Sequence, residues 1–301
     1  MKIAIPQLGL PYFDNIARCL QSTASKPGIN MEIVLWNPNV KPLIDLFDEI
    51  WPDLIFLHEQ ILRPEINLVL EEFDFRYVLA CGGPNDHLHR RPDVVLTHKE
   101  ATGAFDPSYK TLVSSPVADA ISMHFSEHDE RVESDILIIT NPQIQFTDNL
   151  IAMTEYLCHN YRTKIIGSGT VDNYHYLGAV SPAERASFIR STKLVIDLGS
   201  YEFLDAACAK VPSLIFMGSQ MESPPSIFSS FRSFLTLKEL KTHVEDLLST
   251  DDDYKAYSQS CYEELLGHRA TTFHAASDIF SLLGEKHISE TLLDTLKEFV
   301  L

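Results

Sequence analysis

The chain has 301 residues, room for two domains of ordinary size, and its 45% apolar and 22% charged residues describe a protein with a buried core. Its 42 acidic against 24 basic residues leave a net charge of −18, which argues against a general electrostatic grip on nucleic acid or an anionic membrane surface. The apolar runs fall short of the roughly 18–20 residues that span a bilayer, and the opening Met1–Ile5 runs directly into a strand, so a cytoplasmic protein is expected.

The five cysteines are scattered, odd in number and without a CxxC pair, which reads as free thiols rather than a zinc site. Over the first 130 residues, Lys2–Pro6, Met31–Trp36, Asp53–His58, Arg76–Cys81 and Asp93–His98 are apolar runs of strand length. Helical segments near 12–24, 42–50 and 62–73 alternate with the first four. After the first strand stands Gln7-Leu8-Gly9-Leu10-Pro11, not the GxGxxG of a dinucleotide fingerprint. His58 and Glu59 follow the third strand directly, and Gly82-Gly83 followed by Asp86 ends the fourth; strand-end loops are the usual home of functional side chains. His87, His89, Arg90 and Arg91 then form a basic loop, read as solvated or as a contact for an anionic acceptor, since no third ligand stands at metal spacing.

The charge-rich run Glu127–Glu133 separates two α/β patterns and sets the expected domains at 1–130, 131–284 and a C-terminal helix over 285–301. The second pattern opens with a strand, Asp135–Thr140, ending at Thr140-Asn141, followed by a helix over Thr147–Tyr161. From Lys164 the alternation is tight. A strand stops at Gly167-Ser168-Gly169, a second short strand spans Tyr174–Val180, and Ser181-Pro182-Ala183-Glu184 has the spacing of a capping box with Pro at the first helical position. Lys193–Leu198 reads as strand, Phe203–Ala209 as helix and Ser213–Met217 as strand. Such alternation implies a parallel sheet, whose ligands lie beyond the carboxyl ends of the strands. Gly167, Ser168, Gly169, Ser200, Tyr201, Glu202 and Asp205 fall at that edge. Further on, Leu237–Leu248 reads as a capped helix. Asp251-Asp252-Asp253 is read as the polar start of the next helix rather than a metal motif, and Ile288, Leu292, Leu296 and Phe299 make an apolar stripe on the last.

The stretches Leu177-Gly178-Ala179-Val180-Ser181-Pro182-Ala183-Glu184 and Asp205-Ala206-Ala207-Cys208-Ala209-Lys210-Val211-Pro212 resemble the donor-binding half of GT-B glycosyltransferases, in particular the spore-maturation-type family. That family shows "LGxVSxxE" and then "EAxAxGxP"; here Asp205 replaces the Glu that holds the donor ribose, and Lys210 replaces the Gly. The resemblance implies two Rossmann-like open parallel-sheet domains facing across a cleft, with a C-terminal helix crossing back to the first. It implies a nucleotide-sugar co-substrate, most simply a UDP-sugar, with no required cofactor and no metal. Thr140, Asn141, Gly178 and Val180 join the donor-side residues on this ground, and His58 and Asp86 are the candidate catalytic bases on the acceptor side. The acceptor stays open among glycan, protein, small molecule and, against the acidic charge, modified DNA. A catalytically silent nucleotide-sugar or protein-binding module is the rival reading.

Overall fold

The computed structural model describes residues 1–63, 66–83, 88–97, 103–113, 117–124, 132–141, 144, 146–168, 175–218 and 228–300. The chain divides into two compact units, Met1–Ser115 together with Thr272–Phe299, and Pro116–Thr271.

The first unit is built from β1 (Lys2–Pro6), α1 (Pro11–Ala24), β2 (Glu32–Trp36), α2 (Leu43–Ile50), β3 (Leu54–His58), α3 (Ile66–Glu72), β4 (Arg76–Ala80), β5 (Val94–Thr97) and β6 (Thr111–Val113). Its six strands are all parallel and run in the order β2-β1-β3-β4-β5-β6. The central strands are buried on both faces, which is why β3 reads as the unbroken apolar run Leu54-Ile55-Phe56-Leu57, each residue 0% exposed. The short, partly exposed β6 went unpredicted because three residues carry no periodicity to read.

The second unit holds α4 (Ala120–Met123), β7 (Ser134–Thr140), α5 (Asp148–Asn160), β8 (Thr163–Gly167), α6 (Pro182–Arg190), β9 (Thr192–Asp197), α7 (Phe203–Cys208), β10 (Ser213–Phe216), β11 (Arg232–Phe234), α8 (Leu237–Ser249) and α9 (Asp251–Gly267). Its five parallel strands lie in the order β11-β10-β9-β7-β8. The capping box of α6 is formed as the spacing predicts, Ser181 and Glu184 each accepting the other's backbone N–H. Asp251–Asp253 make the first turn of α9, capped by the Thr250 hydroxyl. One expectation fails. In place of a strand over Tyr174–Val180, the described part of that stretch makes a single bridge, Tyr176 to Ile165, before the backbone turns at Gly178 with φ +86°.

The chain then returns to the first unit as α10 (Thr272–Leu282) and α11 (Lys286–Val300). α10 packs on α1, burying Phe273, Ala276, Ile279 and Phe280 completely. The Lys110 ammonium donates to the Leu282 carbonyl at 2.8 Å, and Arg76 pairs with Glu285 at 2.9 Å, so basic groups satisfy the C-terminal end of α10. Ile288, Leu292 and Leu296 of α11 face inward, and Phe299 stacks on Phe273 at 5.5 Å.

Both sheets therefore share one winding. In each, the second strand in sequence lies outside the first and the third lies on its other side, so chain direction switches between β1 and β3 and again between β7 and β9. Ligands of open parallel sheets bind outside the carboxyl ends of the strands at such a point.

Candidate functional site

At the switch point of the second sheet, the strand ends are braced by their own polar side chains. The Thr140 hydroxyl at the end of β7 donates toward the carbonyls of Ile166 and Ser168, both at 3.2 Å, and the Asn141 amide donates to the Gly199 carbonyl at 3.0 Å. Gly167 sits at φ +122°, and a Cβ there would lie 2.2 Å from the Thr140 carbonyl oxygen, so β7 and β8 close on each other as only glycine allows. Gly178 donates nothing to this brace; its carbonyl accepts the Gly167 N–H at 3.1 Å. Val180 is half-buried two residues on, and Leu177 is 52% exposed. Gly169 lies outside the described residues.

The loop after β9 is folded around a carboxylate that the sequence reading passed over. Asp197, 0% exposed at the end of β9, accepts the Ser200 N–H at 2.7 Å, the Ser200 hydroxyl at 2.8 Å and the Phe203 N–H at 3.0 Å. Burial pushes this carboxyl above the ordinary range, and these hydrogen bonds pull it back. The loop carries Tyr201 at φ +65°, a left-handed backbone rare for a side chain of that size.

Beyond the loop, Glu202 stands at the N-cap of α7 and Asp205 in its first turn. Arg185 reaches across from α6 to Glu202 at 2.6 Å and toward Asp205 at 3.9 Å. Asp205 also accepts the backbone N–H of Asp119 at 2.8 Å, from the residue that caps α4. Burial raises both carboxyls; the neighbouring Asp205 raises Glu202 further, while Glu202 as hydrogen-bond partner, Arg185 and the Asp119 N–H restrain Asp205.

The switch point of the first sheet presents His58 at the end of β3. Burial lowers its basicity against the opposing pull of Glu59, which favours the uncharged ring. Nδ1 accepts the Gln60 N–H at 3.2 Å, so the uncharged ring carries its hydrogen on Nε2 and donates from there. Glu59 accepts the Gly82 N–H at 3.0 Å, tying the ends of β3 and β4 together, and the buried Cys81 thiol is pushed up to about 11 by burial and by Glu59. Asp86 and His87 lie outside the described residues. The basic loop is spent on structure: His89 pairs with Glu71, Arg90 donates to the carbonyls of Phe73 and Phe75, and Arg91 donates to the Ser108 hydroxyl. Among the described residues, no three His, Cys, Asp or Glu side chains gather as a metal cage.

No protein-family model matches the chain, and no curated protein matches its sequence. Solved structures do match. A UDP-N-acetylglucosamine 2-epimerase superposes with a TM-score of 0.61 at 11% identity, covering 94% of this chain and 95% of that one. A glycosyltransferase from Rickettsia africae ESF-5 gives 0.56 at 8% identity over 99% and 97% of the two chains. The MnaA–UDP complex from S. aureus gives 0.53 at 10% identity over 94% and 96%. At these identities the likeness concerns the fold: two parallel-sheet α/β units of the GT-B type, shared with glycosyltransferases and sugar epimerases.

Proposed function

We propose that the second unit binds a nucleotide sugar, a UDP-sugar in the simplest case, at the carboxyl edge of β7, β8 and β9, and that the chain is a metal-independent glycosyltransferase, close in kind to the spore-maturation-type enzymes. The observation that carries this reading is the meeting, at the switch point of the second sheet, of the Gly167 close approach, the Asp197-ordered loop and the Arg185–Glu202–Asp205 cluster. Support also comes from the whole-length likeness to a glycosyltransferase and to a structure holding UDP.

In such a transfer the acceptor oxygen bonds to the anomeric carbon, the bond from that carbon to the diphosphate oxygen breaks, and the nucleoside diphosphate leaves with the electron pair. Asp205 takes the ribose hydroxyls in this scheme, and Ser168 and the 199–202 loop face the diphosphate. His58 donates from Nε2–H to the acceptor oxygen; it can serve as base only by releasing the Gln60 N–H from Nδ1, which leaves Asp86 as the first candidate for taking the acceptor proton.

A second reading, a nucleotide-sugar-binding module without chemistry, has one observation in its favour. The N–H groups of Ser200 and Phe203 are taken by the internal carboxylate of Asp197, and the Thr140 and Asn141 donors by backbone carbonyls, so fewer groups remain to steady a leaving diphosphate. A third, suggested by the epimerase likeness, is isomerisation of the same donor class.

Titration with UDP-, GDP- and ADP-sugars decides first whether a donor binds. Ligand at about 100 times its Kd stabilises by about 2.7 kcal/mol, a rise of several degrees in Tm. Asp205→Ala should weaken that binding by about 1.5–3 kcal/mol. No shift with any of the three at millimolar concentration refutes the donor site. Product analysis on the sugar that binds then separates transfer, epimerisation and silence.

A further inference from the structure

We infer that Asp197 is a positioning residue for the donor site: its buried carboxylate holds Tyr201 in a left-handed conformation, and the loop held in this way is what the diphosphate of a nucleotide sugar meets. The inference rests on the donor-site reading above and names the group that shapes that site's loop. Among the described residues, four other than glycine have φ in the left-handed region: Trp51, Tyr201, Lys210 and Arg269. Three of these close helices. Trp51 is the C-cap of α2, and Lys210 and Arg269 each stand one residue past the C-caps of α7 and α9, where a left-handed residue is common. Tyr201 instead follows strand β9 and precedes α7, at the switch point of the second sheet, so no helix C-terminus accounts for its conformation.

The Asp197 carboxylate does account for it. Its Oδ1 accepts the Ser200 N–H at 2.7 Å and the Ser200 hydroxyl at 2.8 Å, and its Oδ2 accepts the Phe203 N–H at 3.0 Å, so the bonds bracket Tyr201 and Glu202. Asp197 is 0% exposed, and hydrogen bonds made in such a site are stronger than the same bonds in water. Gly199, at φ +88°, supplies the turn ahead of the bracket. Two fixed points three residues apart leave the span between them little choice of dihedral. A side chain in the left-handed region is disfavoured about 5- to 30-fold, so a loop released from the carboxylate should leave this conformation most of the time. Strain of this kind persists only where the surroundings over-determine it, and it gathers at ligand sites. Asparagine at 197 keeps one acceptor oxygen but sets an amide N–H group against a backbone N–H, which breaks the bracket.

A double-mutant cycle of Asp197→Asn with Tyr201→Gly tests the inference, because glycine takes φ +65° without strain. Two quantities are read: the Kd for UDP-glucose, by calorimetry where every variant is folded, and denaturant unfolding without ligand. With Tyr201 present, Asp197→Asn should raise the Kd about 5- to 30-fold. In the Tyr201→Gly background the same change should raise it less than about threefold, since the loop then reaches its bound shape unaided. Stability should answer with the opposite sign. Asp197→Asn relieves strain at Tyr201 and has none to relieve at glycine, so it should lower the denaturant midpoint more in the Tyr201→Gly background. A role confined to stability would not give this crossed pattern. Any contact of the Tyr201 ring with the donor cancels, being absent from both members of the second pair. Should Asp197→Asn fail to fold, Ser200→Ala, which removes one of the three bonds and leaves the carboxylate, should give the same pattern at smaller size. An unchanged Kd in folded Asp197→Asn, or equal rises in both backgrounds, overturns the inference. Equal stability losses in both backgrounds overturn the held strain. Absence of UDP-glucose binding by wild type, with the stability difference present, overturns the donor reading and the positioning built on it, while the strain held by Asp197 stands.

Discussion

Lys210 and Gly167 occupy two left-handed backbone positions of the second unit, and they answer differently to substitution. Lys210, at φ +54°, stands where the resembling family has glycine, and it holds that conformation with its ammonium over the Tyr262 ring and its carbonyl accepting the Ser258 hydroxyl. A side chain at such φ costs of order 1–2 kcal/mol, while glycine loses more backbone entropy on folding. Lys210→Gly should therefore stay within about 1 kcal/mol of wild type in denaturant unfolding. Gly167 has no such latitude, since the added Cβ meets backbone at 2.2 Å in addition to the φ of +122°. Gly167→Ala should cost about 2–4 kcal/mol, and because it pushes β8 from β7 it should weaken nucleotide-sugar binding as well. A fully stable Gly167→Ala would mean that the two strand ends can part without cost.

Helix α6 links local sequence to the candidate site, because its capped first turn carries Arg185. Removing the cap with Ser181→Ala should cost about 1 kcal/mol and speed hydrogen exchange in the first turn of α6. Unchanged exchange there would show that packing alone fixes the helix start. The capping box was legible because its signal is local, two residues three apart, and the strand ends were legible because apolar runs stopped at Gly, Ser or His. The Asp119–Asp205 bond was not, since its partners stand 86 residues apart and no local pattern records that separation. Asp197 was hidden in another way: it fell inside the run Lys193–Leu198 read as strand, and only the fold shows it 0% exposed at the end of Thr192–Asp197, accepting hydrogen bonds from its own loop. The strand expected over Tyr174–Val180 does not form over its described part, where the backbone turns away at Gly178 with φ +86°. Strand β11, Arg232–Phe234, is too short and too polar to stand out.

At the scale of the whole chain, the first unit is completed only by its last segment, since Thr272–Phe299 clusters with Met1–Ser115 rather than with the residues that precede it. α10 buries Phe273 and Phe280 at 0% exposure and packs on α1, which contributes Ile16 and Leu20 at 0%. A sheet assembled from Lys2 onward thus depends on apolar surface that arrives some 270 residues later in the chain, a long-range contact that should slow folding of that unit. Phe280→Ala removes a wholly buried ring and should destabilise by about 3–5 kcal/mol, the range for truncating a core Phe. The loss should be local to one unit, because β7, β8 and β9 bury their own Ile136, Ile165 and Leu194 at 0% exposure against other partners. Hydrogen exchange by mass spectrometry on Phe280→Ala should show β1, β3 and α1 losing protection while β7, β8 and β9 keep theirs, and any nucleotide-sugar affinity seated on the second sheet should survive with them. Equal loss of protection in both sheets would mean that the two units unfold as one cooperative body, and that the reach of α10 extends well past the helix it packs on.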